Sequence, residues 1–250
     1  MQFNSNQFNL PEVTKNLVII NVLVFIGTYV AESQGTDISQ LLAMHYPGSS
    51  NFRPWQLLSH MFMHGGLMHL AFNMFALWMF GARIEQSIGA KRFLQLYFFS
   101  AIGAFFIHFG IMYIESQYIL SQSEPGTLQQ ILTEGKALIM KNRTYSNENL
   151  AKLNKIYNGS SIVGASGAIS GVLAAFAMFW PNTELYLMFI PVPIKAKNML
   201  IGTAIISLIL GFVDLIPFLS NIAHHAHLGG ILFGFLIIKY WNKTNRKTLY

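Results

Sequence analysis

The chain contains no cysteine, which excludes disulfides, thiolate metal ligands and a cysteine nucleophile. Charge is scarce as well: Asp, Glu, Lys and Arg make up 10% of the 250 residues, against roughly 25% in soluble domains. That scarcity excludes an ordinary water-facing surface. With 53% apolar residues and a mean hydropathy of +0.43, it marks an integral membrane protein. The 10 acidic residues are outnumbered by 16 basic ones, but the basic residues gather beside apolar runs rather than among exposed aromatics. They read as topology signals, and no nucleic-acid partner is expected. Residues 1–14 carry no Lys or Arg, so the first apolar run, Leu17 to Val30, reads as an uncleaved anchor and not a signal peptide. The His-Glu-x-x-His string of a helical zinc site is also missing. His60 with His64, and the cluster His224, His225 and His227, are the remaining zinc candidates. Residues two apart do not face one another on a helix, so no metal and no cofactor is expected.

What is abundant is apolar sequence. Stretches at about 15–32, 65–83, 92–114, 161–180, 198–219 and 222–241 each approach the ~20 residues that a bilayer requires. Placing the N-terminus in the cytoplasm puts 10 of the 16 basic residues on the cytoplasmic side, Lys91, Arg92, Lys239 and Lys243 among them. The expected architecture is an all-α membrane protein, a compact bundle of six transmembrane helices with both termini cytoplasmic. It divides into a short cytoplasmic segment (1–14), a membrane domain (15–241) and a basic cytoplasmic tail (242–250), with a polar external insert at about 115–160.

In that topology the second, fourth and sixth spans all run inward, so residues early in each share one leaflet. His69, Asn73, Ser166 and His227 are all early, roughly 6–12 Å below the outer surface at ~1.5 Å per residue. Polar side chains in spans face the bundle interior, either as structural hydrogen-bond partners or as functional groups. Ser166 stands in Gly164-Ala165-Ser166-Gly167, and a serine hydroxyl beside an imidazole is the pairing that nucleophilic hydrolysis needs. Gly167 and Gly171 on one span, and Gly230 and Gly234 on another, are spaced to let the two helices pack backbone to backbone. Asp214, near the outer end of the fifth span, is either an orienter of the imidazole or a helix-bridging group. A transporter whose intramembrane histidines carry protons is a further class, though no internal repeat points to it.

Three blocks carry a resemblance. They are His60-Met-Phe-Met-His64-Gly-Gly-Leu-Met-His69-Leu-Ala-Phe-Asn73, then Gly164-Ala-Ser166-Gly167, then Ala226-His227-Leu-Gly-Gly230-Ile-Leu-Phe-Gly234. In this order, over nearly the whole chain, they resemble the rhomboid intramembrane serine proteases. Arg53 and the stretch Gly81-Ala-Arg83-Ile-Glu85 also match family positions, with structural roles. The resemblance implies a Ser-His dyad, with Ser166 as nucleophile and His227 as general base. It implies an oxyanion site of His69, Asn73 and the Ser166 backbone N–H. It also implies transmembrane protein substrates within membrane lipid, and a place in a bacterial cytoplasmic (inner) membrane with the site opening outward. The alternative is a catalytically silent rhomboid-like protein that binds membrane clients; such proteins usually lack the Ser or the His. One departure stands out: many members carry an aromatic four residues after the nucleophile, where this chain has Ser170. Ser170 shares a helix face with Ser166, so it is expected to bond His227 or hold a water.

Two other regions have readable pattern. In the insert, Pro125-Gly-Thr127 precedes Leu128, Ile131 and Leu132, while Asn147 precedes Leu150, Leu153, Ile156 and Tyr157, which suggests two short amphipathic helices. The insert either shapes substrate access, binds a partner or the lipid surface, or is a neutral spacer. In the first outer loop, Phe52-Arg53-Pro54-Trp55-Gln56 mixes apolar, cationic and interfacial residues, as an element in the headgroup region would.

Overall fold

The computed structural model describes residues 10–141, 143–159, 161–187, 190–212 and 223–244. Asp214 and the end of the fifth apolar stretch lie outside the described residues. The principal helices are α1 (Glu12–Ser33), α2 (Leu67–Ile88), α3 (Ala90–Ser121), α4 (Thr127–Met140), α5 (Glu148–Asn154), α6 (Ser166–Phe179), α7 (Ala196–Phe212) and α8 (His224–Thr244). Among the described residues, α1, α2 and α3 are long and apolar enough to cross a membrane, while α6 and α7 are apolar but shorter.

The centre of the fold is α6. Its sequence, rich in Ala, Gly, Val, Leu and Phe, has no polar stripe, and a helix apolar all round is buried all round. Residues Ala168 through Ala177 are all buried. Both α3 and α8 pack against it and against each other. The seam is made by missing side chains: a Cβ on Gly234 would lie 2.5 Å from the Gly171 Cα, and a Cβ on Gly230 would overlap the Gly167 carbonyl. Where lipid removes the hydrophobic drive between helices, this close approach gains dispersion contacts instead.

At the periphery, α1 keeps Leu23, Tyr29 and Val30 exposed and is tied down at its start. The buried Glu85 carboxylate accepts from the backbone N–H groups of Val13 (2.9 Å) and Thr14 (2.7 Å) and from the Thr14 hydroxyl (2.8 Å). A carboxylate on free first-turn amides is a charge-assisted cap. Arg83, two residues earlier on α2, lies 5.2 Å from the Trp180 ring centroid, which links the ends of α2 and α6.

Several boundaries differ from the sequence expectation. The stretch at 161–180 is not one helix: Ser161–Ile162 forms strand β2, which pairs antiparallel with β1 (Met44–His45), Met44 opposite Ile162 and His45 opposite Ser161. The interruption is Gly164, whose φ of +117° belongs to no right-handed helix and whose N–H bonds outward to the His60 carbonyl at 2.9 Å. The helix at 65–83 runs on to Ile88 through a π-helical turn at Leu77–Gly81, and stops at Gly89 with φ +83°. The third helix reaches Ser121 instead of ending near 114. After α6, strands β3 (Glu184–Leu187) and β4 (Ile190–Lys195) form an antiparallel pair leading to α7.

The insert holds α4, α5 and a π-helical turn at Lys155–Gly159. Asn147 caps α5, its side chain accepting from the Leu150 N–H at 3.1 Å. Ile131, Leu153 and Tyr157 from the insert meet Met44 from the first loop and Phe109 and Ile119 from α3 in an apolar cluster of their own. Lys152 pairs with Glu115 at 2.8 Å, and Lys136 donates to the Asn51 side chain at 3.2 Å. The extended end of α3 is therefore a post on which insert and loop are packed together.

Candidate active site

Ser166 is the first residue of α6, so the helix that carries it leaves its opening N–H groups without intrahelical acceptors. The bend at Gly164 is what puts it there. Four residues into a continuous helix, its backbone N–H would have been bonded to the carbonyl one turn back. On the facing helix, His227 lies in the first turn of α8, and its Nε2 is 3.0 Å from the Ser166 Oγ. That is hydrogen-bonding distance between a hydroxyl and an imidazole, from residues 61 positions apart. The glycine seam fixes the separation of the two helices one and two turns below.

The start of α2 supplies the other wall. His69 comes so close to Gly164 that a Cβ there would be 2.8 Å from its Nε2, and the Asn73 Nδ2 would be 3.8 Å from the same point. Both side chains therefore border the segment that leads to Ser166. His69 Nδ1 accepts, at 3.4 Å, from the Gly65 N–H, which leaves the proton of a neutral ring on Nε2, the atom facing Gly164. The Asn73 amide donates to the His69 carbonyl at 2.9 Å, a bond within its own helix that spares one of its two N–H groups. The structure thus brings the four sequence-selected residues to one place, with Ser166 and His227 in direct contact.

Ser170 does not join them. Its hydroxyl donates to the Ser166 carbonyl at 2.8 Å, turning back on its own helix instead of reaching His227, one of the two roles that the helix-face argument offered beside holding a water. Serine in a helix interior commonly bonds the carbonyl one turn back.

Two residues matter more to the site than their sequence signal suggested. His60 holds the Gly164 N–H with its carbonyl, while its ring Nδ1 bonds the Gln56 carbonyl at 2.7 Å. Gln56 is fully buried, its Oε1 accepting from the N–H groups of His45 (3.3 Å) and Arg53 (3.0 Å) and its amide donating to the Asn51 carbonyl at 3.1 Å. The clue was there in a polar residue inside the apolar run Trp55 to Leu58. Arg53 donates to the Ser50 and Phe52 carbonyls, so it braces the loop. A cavity of about 20 Å³ adjoins Ser166, bounded also by Met44, His60, Phe105 and Ala226. It has room for about one water. Among the described residues, no group of three or more His, Asp or Glu is placed to hold a metal ion.

Comparison with known proteins identifies the family. The model of the Rhomboid domain family matches residues 51–123 and 126–243. The Rhomboid protease GlpG of Klebsiella pneumoniae is 31% identical over 105 residues, covering 42% of this chain and 37% of that protein. The RHOMBOID-like protein 12, mitochondrial, of Arabidopsis thaliana is 27% identical over 224 residues, covering 88% of this chain and 55% of the relative. The Presenilin-associated rhomboid-like protein, mitochondrial, of Mus musculus is 29% identical over 230 residues, covering 90% and 47%. The chain spans about half or less of the length of the curated relatives it matches.

Proposed function

The chain belongs to the rhomboid family of multi-pass integral membrane proteins, and from that premise we propose that it is an intramembrane serine endopeptidase with Ser166 as nucleophile and His227 as general base. The observation that carries the reading is the 3.0 Å approach of the His227 Nε2 to the Ser166 Oγ at the start of a buried helix. A serine hydroxyl is a poor nucleophile until a base takes its proton, and here the imidazole is in place to do so. The hydroxyl oxygen adds to the scissile carbonyl carbon as its proton passes to His227. His227 then returns that proton to the departing amine, and water hydrolyses the acyl-enzyme by the same two transfers. The oxyanion is stabilised by the Ser166 backbone N–H, the spare Asn73 N–H and the His69 Nε2–H, each worth about 3–4 kcal/mol in the transition state. Partial positive charge at the N-terminus of α6 acts in the same direction.

In this reading α1, α2, α3, α6, α7 and α8 are six transmembrane helices with both termini cytoplasmic. The site opens to the outer leaflet of a bacterial cytoplasmic membrane. The substrates are transmembrane segments of other proteins. Because a spanning helix hides its amides in hydrogen bonds, the segments cut are those weakened by Gly or Pro near the scissile bond. The insert, packed on the loop and strand that precede Ser166, shapes the approach to the site.

The test is cleavage of a fluorogenic transmembrane peptide by the detergent-purified chain, beside Ser166→Ala and His227→Ala, with a fluorophosphonate label located by mass spectrometry. Label on Ser166 and loss of cleavage in both variants is the expected result. A folded wild type that neither cleaves helix-weakened peptides nor takes up label would overturn the proposal in favour of client binding without catalysis.

A further inference from the structure

A groove whose lining includes none of Ser166, His227, His69 and Asn73 lies between the first half of α3 and the second half of α8. It encloses about 570 Å³ and is lined by Gln95, Phe99 and Ile102 from α3 and by Leu236, Tyr240 and Trp241 from α8. That volume falls within the roughly 300–1,000 Å³ of small-molecule sites. The lining is almost entirely apolar, contains no carboxylate, and stays open to the surface, with Ile102 44% and Leu236 45% exposed. On a membrane protein this is a trough for hydrocarbon.

One end of the groove carries positive charge. The α3 lining residues recur at one-turn spacing, and the next turn toward the helix start holds Lys91 and Arg92. On α8 the lining residues Leu236 and Tyr240 are followed, one turn on, by Lys243. The helices run antiparallel, as the facing pairs Arg92–Trp241 and Phe99–Phe233 require, so both basic turns meet at the same end of the trough. The Arg92 guanidinium lies 5.9 Å from the ring centroid of Trp241, which places a cation at that end. Lys91 and Lys243 are both exposed. An apolar trough ending in cations from two helices has the polarity of a phospholipid bearing net negative charge. Basic pockets between spanning helices select such headgroups.

We propose that the trough between α3 and α8 is a binding site for an anionic phospholipid, with an acyl chain along Phe99, Ile102 and Leu236 and the phosphate held by Lys91, Arg92 and Lys243. The inference does not rest on the catalytic reading. A zwitterionic lipid fits the trough equally well but brings its own cation to the basic end, so the selectivity comes from the charged turns.

The test is native mass spectrometry of the detergent-purified chain with equimolar phosphatidylglycerol and phosphatidylcholine. A basic residue near the headgroups contributes about fivefold in affinity, so Lys91→Gln with Lys243→Gln should weaken phosphatidylglycerol retention by roughly 25-fold and leave phosphatidylcholine unchanged. Ile102→Trp, which fills the trough and keeps every charge, should remove the bound lipid as well. Leu236→Trp fills it from the other helix and serves where the first variant does not fold. Equal retention of the two lipids by the wild type would overturn the site, as would an undiminished preference in the doubly neutralised chain, where Arg92 alone remains at the basic end. Preference surviving in a folded trough-filling variant would overturn it too, since surface charge alone would then explain the selectivity.

Discussion

The seam between α6 and α8 can be tested by a single methyl group. In Gly234→Ala the new Cβ would lie 2.5 Å from both the Cα and the carbonyl oxygen of Gly171. Carbon contacts are comfortable at about 3.5–4.0 Å, so the helices must separate by roughly 1 Å. The obstruction is backbone, so no rotamer change on the partner relieves it. Such overpacking costs about 1–3 kcal/mol of stability. The same displacement carried to the start of the helices stretches the 3.0 Å Ser166–His227 contact to roughly 4 Å, outside hydrogen bonding, and a misplacement of that size lowers turnover by about 100-fold. The assay is peptide cleavage per folded molecule together with thermal unfolding, and Gly110→Ala is the control, because a Cβ there meets nothing within 4 Å. A folded Gly234→Ala protein that cleaves at the wild-type rate, with an unchanged unfolding midpoint, would refute the claim that this seam sets the geometry of the pair.

Gly164→Ala combines a left-handed φ of +117° with a Cβ 2.8 Å from the His69 ring, so cleavage should fall by about 100-fold, read as kcat in the same assay. Ser170→Ala removes a hydroxyl that bonds only its own helix carbonyl among the described contacts, so activity should stay within about threefold of wild type; a larger loss would show a role at the imidazole. Glu85→Ala leaves the first turn of α1 uncapped and should lower stability by about 2–4 kcal/mol, measured by denaturant or thermal unfolding, with Glu85→Gln recovering part. Burial holds the His45 imidazole below its ordinary value, so in the window just below pH ~6.5 the unfolded chain binds the proton more readily than the folded one. Stability should therefore fall as pH drops through that window, and the unfolding midpoint of His45→Leu should depend less steeply on pH than that of the wild type.

The helices of this protein are legible in its sequence because a membrane leaves them few alternatives. The stretch at 92–114 reads as a helix from apolar length alone, since backbone amides in hydrocarbon must bond within their own segment. Where water or protein surrounds the chain, that rule weakens, and the ends of elements escape it. α3 runs on to Ser121 because Ile119 continues its buried face against the insert instead of against lipid. Ser161 and Ile162 look like the outer end of a span, being apolar enough, yet they form a strand because the first loop offers Met44 and His45 as a partner. That partner stands more than a hundred residues away, and no local periodicity announces it.

The candidate pair was legible for a different reason. Ser166, His227, His69 and Asn73 are costly in an apolar setting, so their presence already demanded an explanation. What local pattern could not supply was the turn that makes the serine usable. A glycine inside an apolar run reads as a packing device, and Gly167, Gly171, Gly230 and Gly234 are such devices. Gly164 is not: its backbone conformation ends the strand, hands its N–H to His60 and starts α6 at the serine. His60 in turn is positioned by Gln56, which joins the first loop at four backbone groups of different residues or more. Packing glycines hold the two helices together at the depth of the pair, and one conformational glycine exposes the hydroxyl at the end of its helix. The two kinds are identical in sequence and opposite in structure, so the chemistry of the site becomes readable only once the path of the backbone from His60 to Ser166 is known.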